Sequence, residues 1–329
     1  MFVTLNPKYN YNQPTKSGWN LLPSLFTERG EKVLGIGKNK LYKFYSEYLK
    51  FNPDLIIVEW PPACFLVPLF KKIGLIKCPI ILNWGDYYSD MMSNSIKHPR
   101  FLVRSMENYA AKNADYITTV SKYLESKAIK EFGRIKDKEV FYIPHGFFES
   151  NKKSKINLEK LKIKKRNLKI IYLGEQSLYK KVDELIRAVE GLNCDLFLFG
   201  KPNPEFQKIA SQNVHFMGYV LELEVRSVLK QADILVNTSN QDCNYKLSEY
   251  ISIGKPLLAY DGLPANIFTH KENAYLTRDF REGIIELIKN KKLRKKLENN
   301  IKKLRVFNWE QITEMYITLY NQIISKKLK

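Results

Sequence analysis

The stretch QDCNYKLSEYISIGKP, residues 241–256, decides the fold. It lies between two short apolar runs, Ile234–Asn237 and Leu257–Tyr260. Runs this short and this apolar read as strands buried on both faces. Between them, Tyr245–Ile253 reads as a helix that Gly254 and Pro256 terminate. Strand, helix, strand is the unit of a parallel sheet covered by helices.

The alternation continues outward. Upstream lie a helix at Leu223–Lys230, a strand at Val214–Met217, a helix at Pro204–Ala210 and a strand at Asp195–Phe199. A helix at Lys181–Val189 and a strand at Lys169–Leu173 complete that half. Residues 149–169 break the pattern with a polar, Lys-dense stretch, read as a linker with some helix near Leu158–Leu161. Before it, strands are expected at Phe2–Leu5, Lys32–Ile36, Leu55–Val58, Ile80–Leu82, Tyr116–Val120 and Val140–Ile143, with helices between. Downstream, Ile288, Leu293, Leu297, Ile301 and Leu304 form an apolar stripe under a Lys-rich face. A last helix runs from about Trp309 to Leu328. This divides the chain into a Rossmann-like domain at 1–150, a basic linker at 151–168, a second such domain at 169–305 and a returning helix at 306–329. The fold class is α/β, with two doubly wound domains facing a central cleft and ligands at the carboxyl ends of the strands.

The 329 residues suit two domains, and the 44% hydrophobic and 27% charged fractions are ordinary globular usage. That excludes a disordered tail, a collagen and a disulfide-bonded miniprotein. The net charge is +20. Residues 1–150 carry 21 basic and 14 acidic side chains, 151–169 carry 9 and 1, 170–280 carry 11 and 14, and 281–329 carry 13 and 5. One block is thus slightly acidic within a basic chain. A protein using its whole surface to hold nucleic acid would be basic throughout, so nucleic acid is not expected as a partner. The excess suits an anionic membrane surface or reflects a Lys-rich composition.

Cys64, Cys78, Cys194 and Cys243 stand far apart and make no CxxC pair. They read as reduced thiols of a cytoplasmic chain, and no metal site is visible. No signal-peptide layout opens the sequence and no run of about 18 apolar residues occurs. The expectation is a soluble protein, or one peripheral on the inner membrane face with the apolar Phe65–Phe70 stretch and Lys71-Lys72 at headgroup level.

Gly174 directly follows the strand Lys169–Leu173, and Lys180 precedes the next helix. A glycine there lets backbone approach a ligand, and a lysine at a helix start suits a phosphate. Gly200 and Gly218 also end strands, which suggests one face kept clear for a bound molecule. Ordinary strand-to-loop turns would use the same glycines. Glu249 lies early in its helix, where a carboxylate can accept both hydroxyls of a ribose, or simply face solvent.

These fragments together resemble the group 1 glycosyltransferases of the GT-B fold. The resemblance is carried by Gly174 with Lys180, Ala232-Asp233-Ile234-Leu235-Val236, Leu247-Ser248-Glu249-Tyr250 and Gly254-Lys255-Pro256 in the second half. Arg29-Gly30-Glu31-Lys32-Val33, Pro53-Asp54-Leu55-Ile56-Ile57, Ala114–Ser121 and Ile143-Pro144-His145-Gly146 carry it in the first.

The resemblance implies a sugar transferred from a nucleotide-diphosphate sugar, UDP- or GDP-linked, to a glycan or lipid-linked acceptor. Anomeric configuration would be retained, without metal or cofactor. Lys180 would pair with the pyrophosphate, Glu249 with the ribose, and Gly218-Tyr219-Val220 with the base through backbone. Gly18 would face the phosphates from the acceptor domain. Gly174, Gly200 and Leu247 would line the donor. Asp86 is the candidate catalytic group of the acceptor domain, together with Lys180 and Glu249.

Two positions depart from the family pattern. Glu175 stands where an arginine is usual, so Lys181, Lys201 or Lys246 must compensate, or Glu175 must point away. Gln241 replaces the first of two glutamates. Both departures leave room for a catalytically degenerate nucleotide-sugar-binding protein. A nucleotide-sugar 2-epimerase would need acid–base carboxylates and histidines around the cleft that the sequence does not show.

Overall fold

The computed structural model describes residues 2–5, 21–36, 43–59, 61–85, 99–132, 139–158, 167–241 and 245–327. The chain forms two compact units, Met1–His145 with Trp309–Lys329, and Gly146–Asn308.

The first unit holds strands β1 (Phe2–Leu5), β2 (Val33–Ile36), β3 (Leu55–Glu59), β4 (Ile80–Trp84), β5 (Tyr116–Thr119) and β6 (Glu139–Tyr142). They pair in parallel in the order β2-β1-β3-β4-β5-β6. Helices α1 (Leu21–Glu28), α2 (Phe44–Phe51), α3 (Pro61–Lys72), α4 (Arg100–Asn113) and α5 (Lys122–Phe132) connect them. Every residue of β4 is buried, and the one polar member, Asn83, accepts from the Thr118 hydroxyl at 2.9 Å.

Phe65–Phe70 is half-buried, with Val67 and Pro68 buried. Phe65 packs on Tyr109 at 5.0 Å, and Phe70 stacks on Phe44 at 6.0 Å. Lys71 is held by Asp115 at 2.6 Å and by the Cys78 carbonyl at 2.9 Å. Phe65, Phe70 and Lys71 thus make contacts within this unit, while Lys72 is exposed. Among the described residues, no helix is long and apolar enough to cross a membrane.

The second unit holds β7 (Gly146–Phe147), β8 (Leu168–Leu173), β9 (Cys194–Phe199), β10 (Val214–Gly218), β11 (Ile234–Asn237), β12 (Leu257–Tyr260), β13 (Tyr275–Thr277) and β14 (Phe307–Asn308). Its helices are α6 (Val182–Ala188), α7 (Pro204–Ile209), α8 (Glu222–Leu229), α9 (Tyr245–Ile253), α10 (Phe280–Lys289) and α11 (Lys291–Ile301). The main sheet is parallel, in the order β10-β9-β8-β11-β12-β13. The chain winds outward from β8 to β10, then returns to the other side of β8. The β8/β11 boundary is thus the topological switch point, where the loops at the carboxyl ends part and leave room for a ligand.

Alternate residues of each strand feed opposite cores. Ile170, Leu196, Leu198 and Leu258 join one, while Ile171, Phe197, Phe199 and Leu257 join the other. The short strand β13 and helix α10, which Asp279 caps through the Glu282 amide, lie in a region the sequence reading left unassigned.

The chain crosses between units at His145/Gly146 and at Asn308/Trp309, and the flanking strands β7 and β14 pair in parallel. Residues 151–158, read as part of a linker, lie on the second unit instead. Leu158 is fully buried, its N–H donates to Gln231 at 2.9 Å, and the Ser154 N–H donates to Ser227 at 3.1 Å. Ile156 and Leu158 anchor a stretch whose lysine density dominates its sequence signature.

The terminal helix α12 (Trp309–Lys327) belongs to the first unit, as its expected return implies. Tyr316 meets Phe26 edge-on at 6.3 Å, and Lys326 pairs with Glu139 at 2.6 Å.

Candidate functional site

At the switch point β8 ends in Gly174 and β11 runs into Thr238 and Ser239. The Gly174 N–H donates to the Phe199 carbonyl at 2.7 Å, and the Gly200 N–H donates to the Gly218 carbonyl at 2.8 Å. The three glycines therefore sit side by side at the ends of β8, β9 and β10. Gly174 (φ +147°) and Gly200 (φ +136°) use backbone closed to other residues. A Cβ on Gly200 would lie 1.9 Å from the Gly174 carbonyl oxygen. A Cβ on Gly174 would lie 1.5 Å from the Lys246 ammonium. The glycines let strand ends and a lysine close up on one another; Gly218 alone faces open space.

Lys246 enters from the first turn of α9. Its Nζ lies 5.2 Å from the centre of the Tyr172 ring. The residue is half-buried overall, but its ammonium is enclosed. Burial, with the like charge of Lys180, lowers its pKa from the usual lysine range to about 7, while Glu175 opposes the shift. Lys180 closes a short 3-10 turn, Leu178–Lys180. Its Nζ donates to Gln241 Oε1 and to Ser239 Oγ, the latter at 3.3 Å. The Thr238 hydroxyl donates to the Lys180 carbonyl and so fixes the turn.

Gln241 orients Lys180 without neutralising it, as a carboxylate at that position would. Glu175 is exposed, and its carbonyl accepts from Tyr172 Oη at 2.8 Å. Of the three lysines that could compensate for it, Lys181 pairs with Glu184 at 2.8 Å and Lys201 is exposed. Lys246 alone lies against Gly174. Two ammonium groups thus converge at the end of β8, an arrangement whose positive potential would favour an anion.

Glu249 stands one turn further along α9 and is 6% exposed. Its Oε1 accepts from the Phe148 N–H at 2.8 Å, whereas its Oε2 is buried with no partner. Burial pushes the carboxyl up to about 7, against the Phe148 N–H and Arg226, which favour the ionised form. One oxygen thus accepts from the chain just past its crossing point, and the other has no partner among the described residues.

Leu247 is a core residue, 2% exposed, and does not line the site with its side chain. Tyr219 is 69% exposed beyond the end of β10, and Val220 is half-buried beside it. Gly18 and Asp86 lie outside the described residues. Sequence reasoning missed Tyr172, Thr238, Ser239 and Tyr250, whose hydroxyl accepts from the Leu173 N–H at 2.9 Å. The position of Thr238 and Ser239 just after the strand beside β8 is the signal that could have found them. Among the described residues, no cluster of three or more His, Cys, Asp or Glu could hold a metal ion.

Each unit thus carries a parallel, doubly wound sheet, and the terminal helix belongs to the first unit. Residues 167–290 match the family model described as Glycosyl transferases group 1. Two uncharacterized glycosyltransferases of Methanocaldococcus jannaschii are each 26% identical, over 87% and 80% of this chain and 79% and 73% of their own. Among solved structures, the sucrose-phosphate synthase of Thermosynechococcus elongatus is similar with a TM-score of 0.78, at 14% identity over 99% of both chains. Anabaena HepE in complex with UDP and glucose gives a TM-score of 0.74 at 14% identity, covering 98% of this chain and 100% of its own. The family model and the curated relatives support a group 1 glycosyltransferase, and the solved structures show the GT-B fold.

Proposed function

We propose that the protein takes a glycosyl group from a uridine or guanosine diphosphate sugar and delivers it, with retention, to a glycan or lipid-linked acceptor. The observation that carries the donor class is the convergence of Lys180 and Lys246 at the end of β8, opposed only by the exposed Glu175. An anion of two phosphates suits two ammonium groups better than a single carboxylate does. Glu249 Oε2 supplies one acceptor for a donor hydroxyl. HepE, solved with UDP and glucose, supports uridine as the base.

In this reading the bond between the anomeric carbon and the diphosphate breaks with its electron pair on the phosphate oxygen. The two lysines stabilise the charge that develops there, in a place already arranged for it and without a metal ion. The rest of the rate enhancement comes from orientation of donor and acceptor. We assign Asp86, two residues beyond β4, to the acceptor side, so that Asp86→Asn abolishes transfer and spares donor binding. The degenerate reading rested on Glu175 and Gln241. It loses ground because Glu175 faces solvent and Gln241 holds Lys180 in place.

A thermal-shift screen against UDP-, GDP- and TDP-sugars, with chelator present, tests the proposal. Binding to the folded protein raises the melting temperature by mass action, about 2.7 kcal/mol of stabilisation at a hundredfold excess over Kd. A rise with one base, kept in chelator, is the expected result. No shift with any of the three would refute the donor assignment.

A further inference from the structure

Arg226, on α8, is placed beside Glu249 by contacts that the donor site does not itself require. Its Nη1 donates to Ser252 Oγ at 2.9 Å, and its guanidinium lies 5.5 Å from the centre of the Phe147 ring. Ser252 Oγ in turn donates to the Glu249 carbonyl at 2.8 Å. Phe147 ends β7, and the next N–H along the chain, that of Phe148, donates to Glu249 Oε1. One guanidinium thus grips both the helix that carries the carboxylate and the strand that supplies its hydrogen-bond donor.

We infer that Arg226 is a positioning residue, which favours the ionised form of the buried Glu249 carboxylate and leaves its Oε2 free for the donor. The inference rests on the reading of Glu249 as a donor ligand. Burial alone would leave the carboxyl protonated and weaken it as an acceptor. The charged groups reaching it are Arg226, which favours the ionised form, and Glu222 on the same helix, which opposes it. Strand β7 brings only the Phe148 N–H, and the neighbouring Glu149 is engaged by Asn308 at 2.8 Å. On α9 itself, Lys246 lies one turn earlier and points to Gly174.

The test has two independent readings. Carbon-13 NMR of glutamate-labelled protein without ligand, assigned with Glu249→Gln, gives the titration midpoint of Glu249. Arg226→Met should raise it by about 1.3 pH units or more, and Arg226→Lys should restore most of that change. UDP titrations from pH 6 to 9 give the second reading. Arg226→Met should lose affinity at least tenfold at pH 7 and recover to within about threefold of the unaltered protein at pH 9. A loss equal at every pH, or an unmoved midpoint, overturns the positioning role. If Glu249→Gln binds UDP normally while the NMR midpoint still moves, it is the donor reading that fails. Should Arg226→Met not fold, Ser252→Ala removes the link to α9 and should shift the same midpoint in the same direction.

Discussion

Lys246 is the residue on which the proposed donor site turns, and its protonation makes it testable. Its ammonium titrates near 7 in the free protein, against a usual value above 10. A diphosphate beside it restores the charged form, so UDP binding at pH 8 should take up close to one proton. Calorimetry in two buffers of different ionisation heat measures this directly, and Lys246→Met should abolish the buffer dependence. The same shift has a consequence for stability. From about pH 7 up to the unfolded lysine value, the unfolded chain binds this proton more tightly, so its contribution to stability rises with pH. Lys246→Met should therefore raise Tm at pH 7 while weakening UDP, a site that trades stability for binding. Sequence alone could name Lys246 only as one of three lysines, because nothing local says which of them meets Gly174. The hydrogen bond between Glu249 and Phe148 is likewise invisible there, since it joins residues 101 positions apart.

At the scale of elements, the three strand-end glycines differ in what holds them. Gly200→Ala drives a Cβ into the backbone of the neighbouring strand and keeps a φ that side chains avoid. Gly218→Ala meets nothing within 4 Å and only has to adopt φ +72°. Chemical denaturation should give a loss of about 1 kcal/mol for Gly218→Ala and roughly 2 kcal/mol or more for Gly200→Ala. Equal losses would mean that the strand ends can spread without cost. The glycines were legible as strand ends. Their reason was not, because the sequence does not record which neighbouring strand crowds them. The strand β13 escaped notice because three residues make too short a run, and β7 and β14 because two residues make none.

For the molecule as a whole, alternating strands and helices were legible because a parallel sheet covered on both faces leaves near-continuous apolar runs. The units meet in sequence at His145/Gly146 and Asn308/Trp309, a few residues from where composition places the boundaries. By sequence, the basic excess lies outside residues 170–280, which carry 11 basic and 14 acidic side chains. Part of it, on α11, is paired within the second unit, Lys296 with Glu272 at 2.6 Å and Lys295 with Glu298 at 3.5 Å. In the proposed function, what binds at the switch point is set by the two convergent ammonium groups and not by the net charge. Calorimetric titration of UDP and of uridine into the unaltered protein, Lys180→Ala and Lys246→Met tests that claim most directly. Each lysine variant should lose about 10- to 100-fold in UDP affinity, the worth of one charged hydrogen bond, and bind uridine as before. Equal losses for UDP and uridine, or none for either, would contradict it.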